Sequence, residues 1–234
     1  MSIVTICAPC WNQVEYTKWF VESIRRNSEG HDVGLILLDN GSTDGTREYI
    51  RSVNAIRIEL EENIGVNPAW NMLLAEALKH ESDVIVLANN DIWVGPEWLN
   101  SVSHELMWPY NGSYFLPYDG IQTSIEGYED AVRAALPTLR GHRVASRGGW
   151  CMFFTPAMVR RFHPIPDGIK LWFGDDWIHY KLGEAGFRCE TLLDCCVRHF
   201  LSKSVTELPN KIEIIARDRE AFARIMDEER KRRG

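Results

Sequence analysis

Short, mostly apolar runs that alternate with segments of helical periodicity constrain this chain more than any other feature. Ile3-Val4-Thr5-Ile6-Cys7 reads as a buried strand, and Val14 to Asn27 follows with Tyr16, Phe20 and Ile24 at helical spacing. Leu35-Ile36-Leu37-Leu38 is a second apolar strand ending at Asp39, with a short helix over Thr46 to Ser52. Ile56 to Leu60 is a third strand. It precedes a helix over Pro68 to Lys79 that places Ala69, Met72, Leu73 and Ala77 on one side, with Pro68 tolerated in the first turn. Val84 to Ala88 is the fourth strand, before a helix over Pro96 to Met107. Apolar strands separated by amphipathic helices predict an α/β fold, with a mostly parallel open sheet covered on both faces. Ligands of such sheets bind beyond the carboxyl ends of the strands. Pro9 to Asn12, Asp39 to Thr46, Glu62 to Gly65 and Asn89 to Asp91 therefore matter most.

The second half is less regular. Tyr114 to Leu116 and Met152 to Phe154 read as strands, and the polar stretch Asp119 to Arg147 between them reads as an insertion or lid. A helix over Asp176 to Ala185, a strand near Cys189 to Leu193 and a last helix over Lys211 to Arg232 follow; the last carries Ile212, Ile215, Phe222 and Ile225 along one side. The expected organisation is a first half over residues 1–107, a second half of the same domain over 108–204, and a C-terminal helix over 205–234.

Composition removes several function classes. A net charge of -7 makes nucleic acid an unexpected partner. No apolar run approaches the length of about 18 residues that spans a bilayer. Residues 1–10 lack the basic flank and apolar core of a secretory signal, so the expected location is cytoplasmic. Cys7 and Cys10 have C-x-x-C spacing, but no second pair supports zinc and no helix opens directly behind them. Cys195 and Cys196 lie in an apolar run; the cysteines read as reduced, buried hydrophobes.

Three segments carry chemistry. Asp39-Asn40-Gly41-Ser42-Thr43-Asp44-Gly45-Thr46 is a tight turn rich in side-chain-to-backbone bonding, and a carboxylate at its strand end suits a base edge or a ribose. Ser42, Thr43 or Asp44 also fits a helix cap, which leaves Asp39 without a structural reason. Asn89-Asn90-Asp91 sets a carboxylate beside two amides at the fourth strand end, a pattern that suits Mg²⁺ or Mn²⁺ sharing substrate phosphates and equally suits a plain turn. Trp172-Phe173-Gly174-Asp175-Asp176-Trp177 places two acids among aromatics at a helix start. That is the setting of a cap, or of a general base with a raised pKa.

Taken in order over residues 3 to 204, these pieces resemble the family 2 glycosyltransferases of the GT-A fold. Val4 to Asn12 is similar to the family's first strand with its Pro-x-x-Asn ending. Asp39 to Thr46 copies its Asp-x-Gly-Ser-x-Asp-Gly-Thr turn. Glu62 to Gly65, with Asn71 downstream, matches its Asn-x-Gly segment. Asn89 to Asp91 stands in place of the Asp-x-Asp metal motif, with Asn at 89. Gly148 to Phe154 and Phe173 to Gly186 resemble the acceptor region and the Glu-Asp helix, with Asp at 175 in place of Glu.

The resemblance implies an inverting transfer of sugar from a nucleotide-diphosphate sugar to an acceptor hydroxyl. Pro9, Asn12, Asp39, Asn63, Asn71 and Asn90 would serve the nucleotide-sugar, and Asp91 the metal, Mn²⁺ or Mg²⁺. His199, with Ser202 and Ser204 after it, would reach the metal or diphosphate. Asp176 would be the general base, with Asp175 able to share that role in a coupled titration. Trp150 and Trp172 would stack on sugar rings or fill the core. Arg140, His142, Arg143 and Arg147 fit a solvated face, or a lid over an anionic group. The final helix, ending Lys231-Arg232-Arg233, offers a surface for an oligomer or for peripheral membrane contact. Two rivals stay open: a catalytically silent nucleotide-sugar-binding module, and a nucleotidyltransferase. The second is disfavoured because Cys7 to Gln13 holds no Gly, Lys or Arg for a phosphate loop.

Overall fold

A computed structural model describes residues 2–107, 112–139, 141–144, 148–200 and 210–232, the side chains of 107 and 142–144 excepted. The first half alternates as expected: β1 (Ile3–Cys10), α1 (Val14–Asn27), β2 (Asp32–Asn40), α2 (Thr46–Ser52), β3 (Ile56–Leu60), α3 (Val66–Ala77) and β4 (Val84–Ala88). β5 (Ile92–Val94) and α4 (Asn100–Met107) close it. β6 (Ser113–Tyr118), α5 (Ile125–Ala135), β7 (His142–Val144), β8 (Cys151–Phe154), α6 (Pro156–Phe162), α7 (Gly174–Glu184), β9 (Arg188–His199) and α8 (Lys211–Lys231) make up the rest.

The strands form one sheet in the order β3-β2-β1-β4-β8-β6-β9-β5, with β7 paired to β9. The first four are parallel, because each is joined to the next by a helical crossover. Beyond β4 the sheet is mixed: β8 runs antiparallel to β4 and β6, and β9 runs parallel to β6 but antiparallel to β5. Every residue of β4 is fully buried, the signature of a strand covered on both faces. β9 changes partners along its length, pairing with β6 and β7 at its start and with β5 at its end.

Four details depart from the sequence reading. The helix expected from Pro96 starts at Asn100, because Glu97 takes a left-handed backbone with φ 61°. The polar stretch from Asp119 is not all insertion. Ser124 caps α5 by accepting from the Gly127 N–H, and Tyr128 and Val132 bury against Trp93 and Cys196. In α3 it is Trp70 and Leu74 that join Ala69, Leu73 and Ala77 inside, while Met72 is 37% exposed. Ile212 is 83% exposed, so the apolar side expected of α8 does not run the helix's full length. Arg140, Arg147, Ser202, Ser204 and Arg233, with the side chains of His142 and Arg143, lie outside the described residues. No helix among the described residues is long and apolar enough to cross a membrane. All six cysteines are free, and burial, which pushes the Cys10 thiol up to about 12, leaves Cys7 and Cys10 packed as core hydrophobes rather than exposed thiolates.

Candidate active site

A cleft of about 240 Å³ opens at the carboxyl edge of the parallel strands. Of the residues singled out from the sequence, Pro9, Asn63, Asn90, Asp91, Trp150, Trp172, Asp175 and His199 line it. Asn12, Asp39, Asn71 and Asp176 do not; for the first three, hydrogen bonds elsewhere show why.

Asn12 is a loop pin. Its Oδ1 accepts from the Thr43 N–H at 2.8 Å, and its own N–H donates to Ser42 Oγ at 2.9 Å. Asp39 is fully buried; Oδ2 accepts from Arg47 Nε at 2.7 Å and Oδ1 from the Ser42 N–H at 3.3 Å. The turn therefore does give Asp39 a structural reason. Its neighbour Asn40, on the other face of β2, lines the cleft instead. The Asn40 carboxamide accepts from the Ile64 N–H and donates to Asn63 Oδ1 and the Gly65 carbonyl, so it moulds the 63–65 loop. Asn71 looks away from the cleft, holding the Ile165 backbone through both amide atoms at 2.7 and 2.8 Å. Asp44 behaves as the cap expected of this turn, accepting from the first N–H groups of α1 and α2.

Backbone pairing sets the chemical end of the cleft. Ile92 sits opposite His199 in the β5–β9 ladder, and the Phe200 N–H donates to the Asp91 carbonyl at 2.9 Å. This brings Asp91 Oδ1 to 3.4 Å from His199 Nε2, with both side chains buried. His199 Nε2 makes no hydrogen bond among the described residues. Two ligands bonded at about 2.1 Å and at right angles lie about 3 Å apart, so the pair fits adjacent positions on one Mg²⁺ or Mn²⁺. Among the described residues no group of three or more His, Cys, Asp or Glu forms a metal cluster. Among the described residues the cleft thus offers two candidate ligands, and the other positions would fall to phosphate oxygens and water. Trp150 lies flat on the His199 ring, centroids 5.0 Å apart and planes 9° apart, and its carbonyl accepts from the Asn89 N–H. Asn90 reaches the cleft with its amide turned back to Thr17 Oγ1.

Asp175 enters from the first turn of α7. Burial first, and the Asp176 charge second, raise its pKa above the ordinary 3.8. The Asp176 N–H donates to Asp175 Oδ1 at 3.1 Å, so the two acids are mechanically and electrostatically joined. Gly149 makes room for them: a Cβ there would lie 2.5 Å from the Asp175 Cβ. Gly149, Asn40 and Trp11 are cleft residues the sequence reading did not single out. Each had a signal: Trp11 directly follows β1, Asn40 ends β2, and Gly149 falls in the stretch 148–154 that resembles the acceptor region.

The family model for Glycosyl transferase family 2 matches residues 5–163, ending before Asp175, Asp176 and His199. No curated protein matches the sequence significantly. Among solved structures, the chain is similar to the mannosyltransferase PcManGT from Pyrobaculum calidifontis in complex with GDP-Man and Mn²⁺. That likeness has a TM-score of 0.61 and 19% identity, over 86% of this chain and 57% of that one. It is also similar to S. aureus TarS 1-349, with a TM-score of 0.61 and 14% identity over 93% and 70% of the two chains. GalNAc-T7 with UDP, GalNAc and Mn²⁺ gives a TM-score of 0.61 at 13% identity, over 85% of this chain and 43% of that one. The sheet is a GT-A sheet, and with a family match over more than half its length the chain belongs to glycosyl transferase family 2.

Proposed function

We propose that this protein transfers a sugar from a nucleotide-diphosphate sugar to an acceptor hydroxyl with inversion at the anomeric carbon. The observation that carries the reading is the meeting of Asp91, His199 and Asp175 in one cleft with Pro9 and Asn63. Residues 1–107 form the donor-binding half and residues 108–204 the acceptor half. A Mn²⁺ or Mg²⁺ ion on Asp91 and His199 would supply charge neutralisation for the departing diphosphate. The solved relatives that hold GDP-Man or UDP together with Mn²⁺ support that choice.

The Asp175–Asp176 pair takes the acceptor proton. Asp176 holds the position that the resemblance gives to the base, and Asp175 is the member that fronts the cleft. Burial and the neighbouring Asp176 charge raise the proton affinity of Asp175. The freed acceptor oxygen bonds to the anomeric carbon as the bond from that carbon to the diphosphate oxygen breaks on the opposite face. Trp172, 38% exposed, and Trp150 offer flat surfaces for sugar rings at the cleft. Six free cysteines suit a reducing compartment, and we place the protein in the cytoplasm.

Product analysis tests the proposal. UDP-, GDP- and dTDP-sugars with Mn²⁺ are offered with a panel of hydroxyl acceptors, and the anomeric configuration of the product is read. A new glycosidic bond of inverted configuration is expected. Tight donor binding without transfer or hydrolysis by the wild-type protein rules the proposal out in favour of a silent binding module.

A further inference from the structure

The backbone of residues 168–174 carries Leu171 and Trp172 to the cleft and leads directly into Asp175. It is held from two sides by complementary groups. From α8, Asp218 Oδ2 accepts the N–H groups of Lys170, Leu171 and Trp172 at 3.1, 2.7 and 3.0 Å. From α3, Asn67 Nδ2 donates to the carbonyls of Ile169 and Trp172 at 3.3 and 2.9 Å, and the Asn67 N–H donates to the Lys170 carbonyl. The α3 side chain thus pairs with the segment's acceptors and the α8 side chain with its donors.

The Asp218 side is unusual chemistry for mere attachment. The residue is fully buried and forms no ion pair among the described residues. Three successive backbone N–H dipoles converge on its Oδ2, a nest filled from within the chain. A buried carboxyl is an expensive way to dock a helix, but one oxygen accepting from three consecutive N–H groups fixes their directions at once. Around it Phe222 stacks on Phe173 at 5.1 Å with planes 13° apart, and Lys181 pairs with Glu229 at 3.2 Å. At Gly174, a Cβ would fall 2.0 Å from Asn67 Oδ1, so the entry to α7 closes directly onto the Asn67 amide.

We infer that Asp218 is a positioning residue for transfer. By fixing the 168–174 backbone, α8 sets the place of Trp172 and of the Asp175–Asp176 pair relative to the metal-binding end of the cleft. The inference rests on the function proposed above and extends it to a helix outside the family-matched span of residues 5–163. It predicts that loss of the carboxylate impairs turnover and leaves the donor pocket on β1 and β2 intact.

The test uses the full chain carrying Asp218→Ala, Asp218→Asn or, as a milder variant that keeps the carboxylate, Phe222→Leu. Three quantities are read: hydrogen exchange of the 168–174 amides, UDP and GDP affinity with Mn²⁺, and release of nucleotide from the donor that the wild type turns over. For Asp218→Ala we expect faster exchange confined to residues 168–174 and unchanged nucleotide affinity. Turnover should fall by about 10²-fold, the scale of a misplacement near 1 Å. Asp218→Asn should fall between it and wild type, since one acceptor oxygen survives, and Phe222→Leu should follow the same direction more weakly. Unchanged turnover per folded molecule in Asp218→Ala, or in Phe222→Leu should the first variants fail to fold, overturns the inference and leaves the transferase reading standing. A wild type that turns over no donor overturns both.

Discussion

The two halves of the cleft are built on opposite principles. On the side proposed for the donor, polar side chains at and behind the cleft wall are occupied with one another. Asn12 pins Thr43, Asp39 holds Arg47 and Ser42, and Asn40 ties down residues 63–65. On the chemical side, polar capacity is left open. His199 Nε2 is buried without a hydrogen bond among the described residues, and Asp175 is pushed toward its protonated form by burial and a neighbouring charge. A pocket that must recognise one rigid nucleotide gains from groups locked before binding. A centre that must accept charge and protons needs groups whose stabilisation is completed only by the reactants. The donor side should therefore answer to mutation mainly in stability, and the chemical side mainly in rate.

The strongest attempt to break this contrast is at the acid pair. Asp176→Asn and Asp175→Asn are each expected to lower transfer by about 10²–10⁴-fold, the worth of a positioned general base, with donor affinity retained. Steady-state rates and calorimetric donor titration check this, and loss of donor binding in either variant would contradict it. Asp91→Ala should lower the rate by about 10²–10³-fold and abolish Mn²⁺ stimulation, while its unfolding curve stays close to wild type. Gly149→Ala, whose new methyl competes with Asp175 for one place, should reduce turnover by about 10²-fold without touching a reacting group. On the donor side, Asn40→Ala strands the Ile64 N–H and should cost about 1–3 kcal/mol of stability in denaturant unfolding, with rate at saturating donor little changed.

The smallest effect sharpens the contrast further. Asp175 has a raised affinity for protons in the folded state, so as pH climbs above 3.8 the unfolded chain ionises first and the native state is relatively disfavoured. Asp175→Asn should thus melt higher than wild type at neutral pH. That advantage should shrink as pH falls through the raised value and vanish below 3.8. A variant less active yet more stable is the behaviour expected of a residue kept for function. Equal melting temperatures at all pH values would show that the residue is not strained by ionisation.

Much of the fold was legible because its signals are local. The helices over Val14–Asn27 and Thr46–Ser52 and the strands over Ile56–Leu60 and Val84–Ala88 begin and end where apolar periodicity and turn residues place them. The α5 helix was missed although Ile125, Tyr128, Val132 and Leu136 recur at helical spacing, because the polar residues between them dominate the average. In the site, Pro9, Asn63, Asp91, Trp150, Trp172, Asp175 and His199 were identified and do line one cleft. The choice between neighbours was harder. Asp39 and Asn40 occupy opposite faces of a strand buried on both sides, so no polar–apolar alternation marks which of them meets the ligand. Asp175 and Asp176 likewise share one helical turn, and only packing against Gly149 decides which fronts the cleft.

The sequence by itself determined the α/β alternation, the strand-end rows and the residue types a metal-assisted transfer would use, since each follows from short-range periodicity and side-chain chemistry. Tertiary structure alone decided the partnerships. It placed His199 against Asp91 across the β5–β9 ladder, locked Asp39 onto Arg47, turned Asn71 toward residue 165, and set Asp218 of α8 under residues 170–172. Apart from Asp39 and Arg47, eight positions apart, these contacts join residues tens to more than a hundred positions apart, and no local rule carries strand register or helix docking over such distances, because both are fixed by the packing of the whole core.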